Sequence, residues 1–93
     1  METTKLKSLI QSILLVSAKP VELKVLVEVL DVDEETIKSA IAEIVSDNKH
    51  SGIVLLAHGN KLQLATNPDN SSVVKKFLSL ELREKLTDAA LET

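Results

Sequence analysis

The chain has two histidines, His50 and His58, and each lies close to a glycine, Gly52 and Gly59 respectively. Imidazole is the commonest metal ligand and the usual proton carrier near neutral pH. A metal site would need further ligands at matching spacing, and neither histidine has a His or Cys partner so placed. Asp31, Asp33, Glu34 and Glu35 form an acidic run that could hold a hard cation. The run lacks the spaced ligands of a calcium loop. Helix capping and complementarity to a helix dipole account for it more simply. Ser71-Ser72 and Thr3-Thr4 offer hydroxyls with no evident base to activate them. Gly52 and Gly59 flank a strand and make no phosphate-cradling loop. With no cysteine, disulfides, thiolate nucleophiles and sulfur-ligated zinc are excluded. The reactive residue types thus point away from catalysis and away from any metal or cofactor.

These residues are set on a regular run of elements. Leu6, Leu9, Ile10, Ile13 and Leu14 share one helical face from about Thr4 to Ser17, with Leu15 opposite beside Ser8, Gln11 and Ser12. Ala18-Lys19-Pro20 ends that helix. Val21 to Leu30 carries two patterns. Val21, Leu23, Val25, Val27 and Val29 alternate like a strand, whereas Leu23, Leu26, Val27 and Leu30 have helical spacing. The helix is preferred, after a brief extended bridge at Pro20-Val21. Asp31-Val32-Asp33 is a turn, with Asp33 as N-cap of a third helix that carries Ile37, Ala40, Ile41, Ile44 and Val45 to about Asn48 or Lys49. Two helices joined by three residues read as a helix-turn-helix.

Ile53 to His58 and Lys61 to Thr66 flank Gly59-Asn60, which suits a two-residue type II′ hairpin. That register sets Ala57 opposite Leu62 and Leu55 opposite Leu64. Ile53, Leu55, Ala57, Leu62 and Leu64 should then face the core, and Val54 and Leu56 should face outward. Asn67 and Pro68 open a fourth helix with Val73, Val74, Phe77 and Leu78 as its packing face. Ser79 to Leu86 is a charged connector, and Thr87-Asp88 reads as another helix start.

Ninety-three residues suffice for one small core, and 1% aromatic content makes that core aliphatic. The expected fold is mainly α with a small β-hairpin, a winged helix-turn-helix. No stretch approaches the roughly 18–20 apolar residues of a membrane span, and no signal peptide is legible. The chain reads as cytoplasmic.

A winged helix raises the prospect of DNA binding through its third helix. The net charge is −3 with a pI of about 5.3. From Asp33 to Lys49 the acids Asp33, Glu34, Glu35, Glu43 and Asp47 outnumber Lys38 and Lys49, and arginine is absent. Lys61, Lys75 and Lys76 are the best remaining candidates for phosphate contacts, and a solvated face explains them equally well. Protein association instead needs apolar surface left over from the core. Leu15, Val54 and Leu56 are the candidates, as contacts between two copies of the chain.

Three segments carry a family resemblance. Ile13-Leu14-Leu15-Val16-Ser17-Ala18-Lys19-Pro20-Val21 resembles the early helix of the ScpB family, segregation and condensation protein B. Gly59 through Pro68 resembles that family's wing, and Leu86-Thr87-Asp88-Ala89-Ala90-Leu91-Glu92-Thr93 resembles the start of its second winged-helix domain. The resemblance covers essentially the whole chain. It departs in the valine-rich second helix and in Asp31, where the family has glycine. It implies a winged-helix dimerisation domain over residues 1–79, then a connector and the truncated start of a second winged-helix domain over 80–93. It further implies a non-enzymatic, homodimerising scaffold that meets a kleisin resembling ScpA, and through it an SMC ATPase, in a nucleoid-associated complex for chromosome condensation and segregation. The alternative is a winged-helix transcription regulator that binds DNA.

Overall fold

Leu6, Ile10 and Leu14 recur at every fourth position, so they stack on one stripe of a helix. All three are buried on α1 (Thr3–Val16). The computed structural model describes the backbone of residues 2–92 and the side chains of residues 2–84. The extended backbone at Ser17 breaks α1 before Pro20.

A two-residue strand β1 (Val21–Glu22) leads directly into helix α2 (Leu23–Leu30). The alternating valines are therefore helical. Leu23 and Leu26 are buried, Val27 and Leu30 pack on the core, and Val25 and Val29 face solvent. α2 ends at Asp31, whose backbone is left-handed with φ of 54°. A glycine takes that conformation without the Cβ penalty. α3 (Glu34–Asp47) begins three residues later. The Asp33 carboxylate caps it, accepting from the Thr36 amide at 3.3 Å and the Thr36 hydroxyl at 2.7 Å. Ile37, Ala40, Ile41 and Ile44 form its buried stripe. The helix-turn-helix thus stands as the spacing predicts.

β2 (Ile53–His58) and β3 (Lys61–Thr66) pair antiparallel in the expected register, Leu55 opposite Leu64 and Ala57 opposite Leu62. Gly59 has φ of 63° while Asn60 stays at negative φ, as a II′ turn requires. The sheet is larger than a hairpin, however. β1 pairs with β3, Val21 opposite Leu62 and Glu22 opposite Lys61, giving the strand order β1-β3-β2. What sequence reading treats as a bridge into α2 is a third strand.

α1, α2 and α3 pack together, and Leu55 and Leu62 close the core from the sheet. The expected inner face of the sheet is only partly covered. Leu64 is half-buried, while Ile53 and Ala57 are exposed. The helical layer covers the middle of β2 and leaves its two ends open.

A 3-10 turn (Pro68–Asn70) leads into α4 (Ser71–Glu92), one helix about 33 Å long. The charged connector belongs to this helix, and its backbone runs through Thr87-Asp88 without the expected new start. Val73, Phe77 and Leu78 do not pack on the core as their spacing suggests. α4 rests chiefly on the 3-10 turn at its foot, and of its described side chains all but Val74 are exposed. The molecule is accordingly elongated, 54 × 27 × 24 Å.

Candidate protein-interaction surface

The residues with reactive side chains do not converge. His50 and His58 are both exposed. Among the described residues no cluster of three or more His, Cys, Asp or Glu side chains could hold a metal ion. Asp33 is engaged by Thr36, and these hydrogen bonds, the side-chain one foremost, hold its carboxyl below the usual carboxylate range. Glu34 pairs with Lys38 one turn along α3 at 3.5 Å. Lys7 reaches from α1 to α3, 2.7 Å from Asp47 and 3.8 Å from Glu43. The hydrogen bond to Asp47, helped by the charges of Asp47 and Glu43, raises its pKa against the opposing effect of desolvation.

The face of α3 that a DNA-binding winged helix would insert is acidic. Glu35, Ser39, Ala42, Glu43 and Ser46 are all exposed on it. Lys61 sits beside the hairpin turn, whereas Lys75 and Lys76 lie on α4, beyond the far end of β3. A six-residue strand spans roughly 20 Å, so the three lysines form no single patch. Lys61 lines a groove of about 500 Å³ with Glu22, Leu23, Lys24, Val27, Glu34, His58 and Asn60. Acids and bases alternate in it, and Lys24 pairs with Glu22 at 3.3 Å.

The apolar surface is organised differently from the sequence expectation. Leu15 is 69% exposed and lines a second groove, about 340 Å³, with Ile53 and Leu64. Ser8, Gln11, Ser12, Asn48 and Ser51 complete its wall. Val54 and Leu56 are half-buried and lie on the other face of the sheet, opposite Ala65 and Gln63. Leu15 therefore meets Ile53 and Leu64, and not the other two candidates. Strand alternation assigns Ile53 to the core face, and only the short helical layer leaves it exposed.

α4 exposes further apolar side chains, with Val73, Phe77 and Leu80 on one stripe and Leu78 and Leu82 on the opposite side. Val73, Phe77, Leu78, Leu80 and Leu82 are 48–70% exposed. In the sequence Val73, Phe77 and Leu78, together with Val74, read as a packing face for the same chain, and Leu80 and Leu82 as part of the charged connector.

Asn67 joins the Leu15 groove to α4. It is the one buried polar residue among the described residues. Its carboxamide nitrogen donates to the carbonyls of Lys49 (3.3 Å) and Ser51 (2.8 Å), and its Oδ1 accepts from the Asp69 amide at 2.9 Å. Its own amide donates to the Gly52 carbonyl at 2.9 Å. The foot of α4 is thereby fastened to the loop that walls the Leu15 groove. Such a surface, with an apolar centre and a polar rim, suits association with another protein. No helix among the described residues is long and apolar enough to cross a membrane.

The family model for segregation and condensation complex subunit ScpB matches residues 8–93. Segregation and condensation protein B of Clostridium botulinum (strain Kyoto / Type A2) is 36% identical over 94 aligned positions, covering 99% of this chain and 49% of that protein. The protein of the same description from Alkaliphilus oremlandii is 32% identical, covering 100% and 51%. The chain spans about half the length of the curated relatives it matches. Among solved structures, a dimer of the ScpB N-terminal domain complexed with ScpA peptide superposes with a TM-score of 0.73 at 26% identity, over 80% of this chain and 95% of that one. ScpB from Mycobacterium tuberculosis shares the fold, with a TM-score of 0.81 at 19% identity over 88% of this chain and 52% of its own.

Proposed function

The chain belongs to the ScpB family of segregation and condensation complex subunits, and from that premise we propose that it is a non-enzymatic scaffold that pairs with a second copy of itself. The pair engages a kleisin resembling ScpA and, through it, an SMC ATPase. The assembly acts in chromosome condensation and segregation, in the cytoplasm at the nucleoid. Residues 1–79 form the dimerising unit, and residues 80–93 lead toward a second winged-helix unit.

The observation that carries this reading is apolar surface left uncovered on a small domain whose reactive side chains are dispersed. Leu15 with Ile53, and Phe77 with its neighbours on α4, are too many large exposed side chains for scatter. The similar ScpB N-terminal domain is a dimer with an ScpA peptide, which supports both partners. The test is light scattering of the chain across a dilution series, with co-purification of a co-expressed ScpA-type kleisin. A monomer at every concentration would sink the dimer, and absence of the kleisin from the purified complex would sink the scaffold.

A winged-helix transcription regulator is the second reading, favoured only by the helix-turn-helix itself. Phosphate contacts dominate DNA affinity and require basic surface, and the exposed face of α3 carries Glu35 and Glu43. Tight duplex binding at physiological salt would restore that reading.

A further inference from the structure

We propose that the outer edge of β2 takes an extended, acidic-ended segment of another protein as a fourth strand of the sheet. This goes beyond the scaffold reading, which assigns no partner to that edge, and stands without it. The strand order β1-β3-β2 gives β2 a neighbour on one side only. Across a two-residue turn His58 and Lys61 form a hydrogen-bonded pair, so Leu56–Gln63 and Val54–Ala65 carry the next bonds to β3. The Asn67 amide, donating to the Gly52 carbonyl at 2.9 Å, continues the same alternation. The N–H and C=O groups of Leu55 and Ala57 therefore point away from β3, and none of the described residues pairs with them. The next outward donor, the Ile53 amide, is held by the Ser51 hydroxyl at 3.3 Å. Edge strands are commonly blunted by a lysine, a proline or a bulge. β2, Ile-Val-Leu-Leu-Ala-His, has none of these and keeps an unbroken register. A row of outward donors and acceptors at alternate residues is matched by another extended chain. Apolar seats lie beside the row. Ile53 is half exposed, and Lys38 of α3 borders a hollow with Ala57. Val45, on the same stripe of α3 as Lys38, is 46% exposed.

Charge selects the segment. The chain's net charge is −3, yet no Asp or Glu occurs from Asn48 to Pro68, where Lys49, His50, His58 and Lys61 lie. Lys49 and His50 precede one end of β2, and His58 and Lys61 stand at the other. The acids that share the second end are already paired, Glu22 with Lys24 at 3.3 Å and Glu34 with Lys38 at 3.5 Å. A segment with an aliphatic centre and acidic ends meets the ladder, the apolar seats and both cationic ends. A DNA backbone would meet the lysines and leave the ladder and the valine unmatched.

The probe is a synthetic peptide of about eight residues, glutamate at both ends and valine alternating with threonine between. Residue-resolved amide exchange of the whole chain is measured with and without it. Exchange at Leu55 and Ala57 should slow roughly tenfold or more, while Val54 and Leu56, already bonded to β3, should not change. A copy of the peptide N-methylated at alternate amides should not bind, because it cannot complete the ladder. Ala57→Pro removes an outward N–H and no bond to β3; it should fold by circular dichroism and lose the peptide. Four results would each overturn the proposal. Slowing may fall on α3 or the Leu15 groove instead of Leu55 and Ala57. The N-methylated or a lysine-ended peptide may bind as well as the probe. Duplex DNA may slow the same two amides. Both amides may already be protected without peptide, increasingly so at higher protein concentration, which would give the edge to a second copy. None of these results touches co-purification of the kleisin, so the scaffold reading stands or falls separately.

Discussion

The Asn67 carboxamide donates to the Ser51 carbonyl at 2.8 Å across a part-buried gap between the loop before β2 and the foot of α4. The same side chain caps the 3-10 turn through Oδ1. Asn67→Ala removes the cap and leaves the Lys49 and Ser51 carbonyls without this donor. We expect a loss of about 1–2 kcal/mol, the order of a lost cap with part-buried acceptors left to solvent. Asn67→Asp keeps the cap but turns an acceptor toward those carbonyls, and should be worse. Urea unfolding of the three proteins measures both; an unchanged midpoint for Asn67→Ala would contradict this role.

Asp31 occupies the left-handed position that ends α2. Asp31→Gly relieves the Cβ strain there and should stabilise the chain by about 0.5–1 kcal/mol, partly offset by the greater freedom of glycine in the unfolded state. Asp31→Val should destabilise it. Thermal unfolding gives the sign, and equal or lower stability of the glycine variant would show that the turn bears little strain.

The valine-rich α2 provides a sharper contrast. Leu26 is fully buried and Val29 is 63% exposed. Leu26→Ala should cost about 2–5 kcal/mol, whereas Val29→Ala should stay within about 0.5 kcal/mol. The reverse order in denaturant titrations would favour the alternating strand over the helix.

Two groups give the stability opposite pH dependences. The folded-state pKa of Lys7 is raised by Asp47 and Glu43. Its contribution is complete below the unfolded lysine value and fades as pH rises through the folded one, above about pH 10. The Asp33 carboxyl is lowered by Thr36. Its contribution is complete above the unfolded carboxyl value and fades as pH falls, below about pH 4. Lys7→Met should flatten the alkaline limb of a stability profile, and Asp33→Asn should flatten the acid limb. Denaturation midpoints across pH measure this, and parallel profiles for variant and parent would refute it.

Much of this architecture was legible in the residues. The four helices, the turn at Asp31–Asp33, the Asn67 cap and the pairing of Leu55 with Leu64 all follow from local rules. Side-chain periodicity, capping chemistry and the turn at Gly59-Asn60 act within a few residues, so a linear reading captures them. The exposure of Leu15 likewise follows from its place opposite the buried stripe of α1.

Tertiary structure decided the rest. Periodicity tells which residues share a face, because it reports the direction of a side chain relative to its own element. It does not tell what lies over that face. Ile53 and Leu55 point the same way from β2, yet only Leu55 has helices above it. Phe77 and Ile44 both lie on apolar helical stripes, yet α4 runs out of the body while α3 stays in its centre. Val21 pairs with Leu62, far along the chain, so its neighbours announce an extended backbone but not the strand it joins. Burial is a property of two elements together, which is why the sequence by itself determined the elements and only the assembled fold decided which apolar faces were left for a partner.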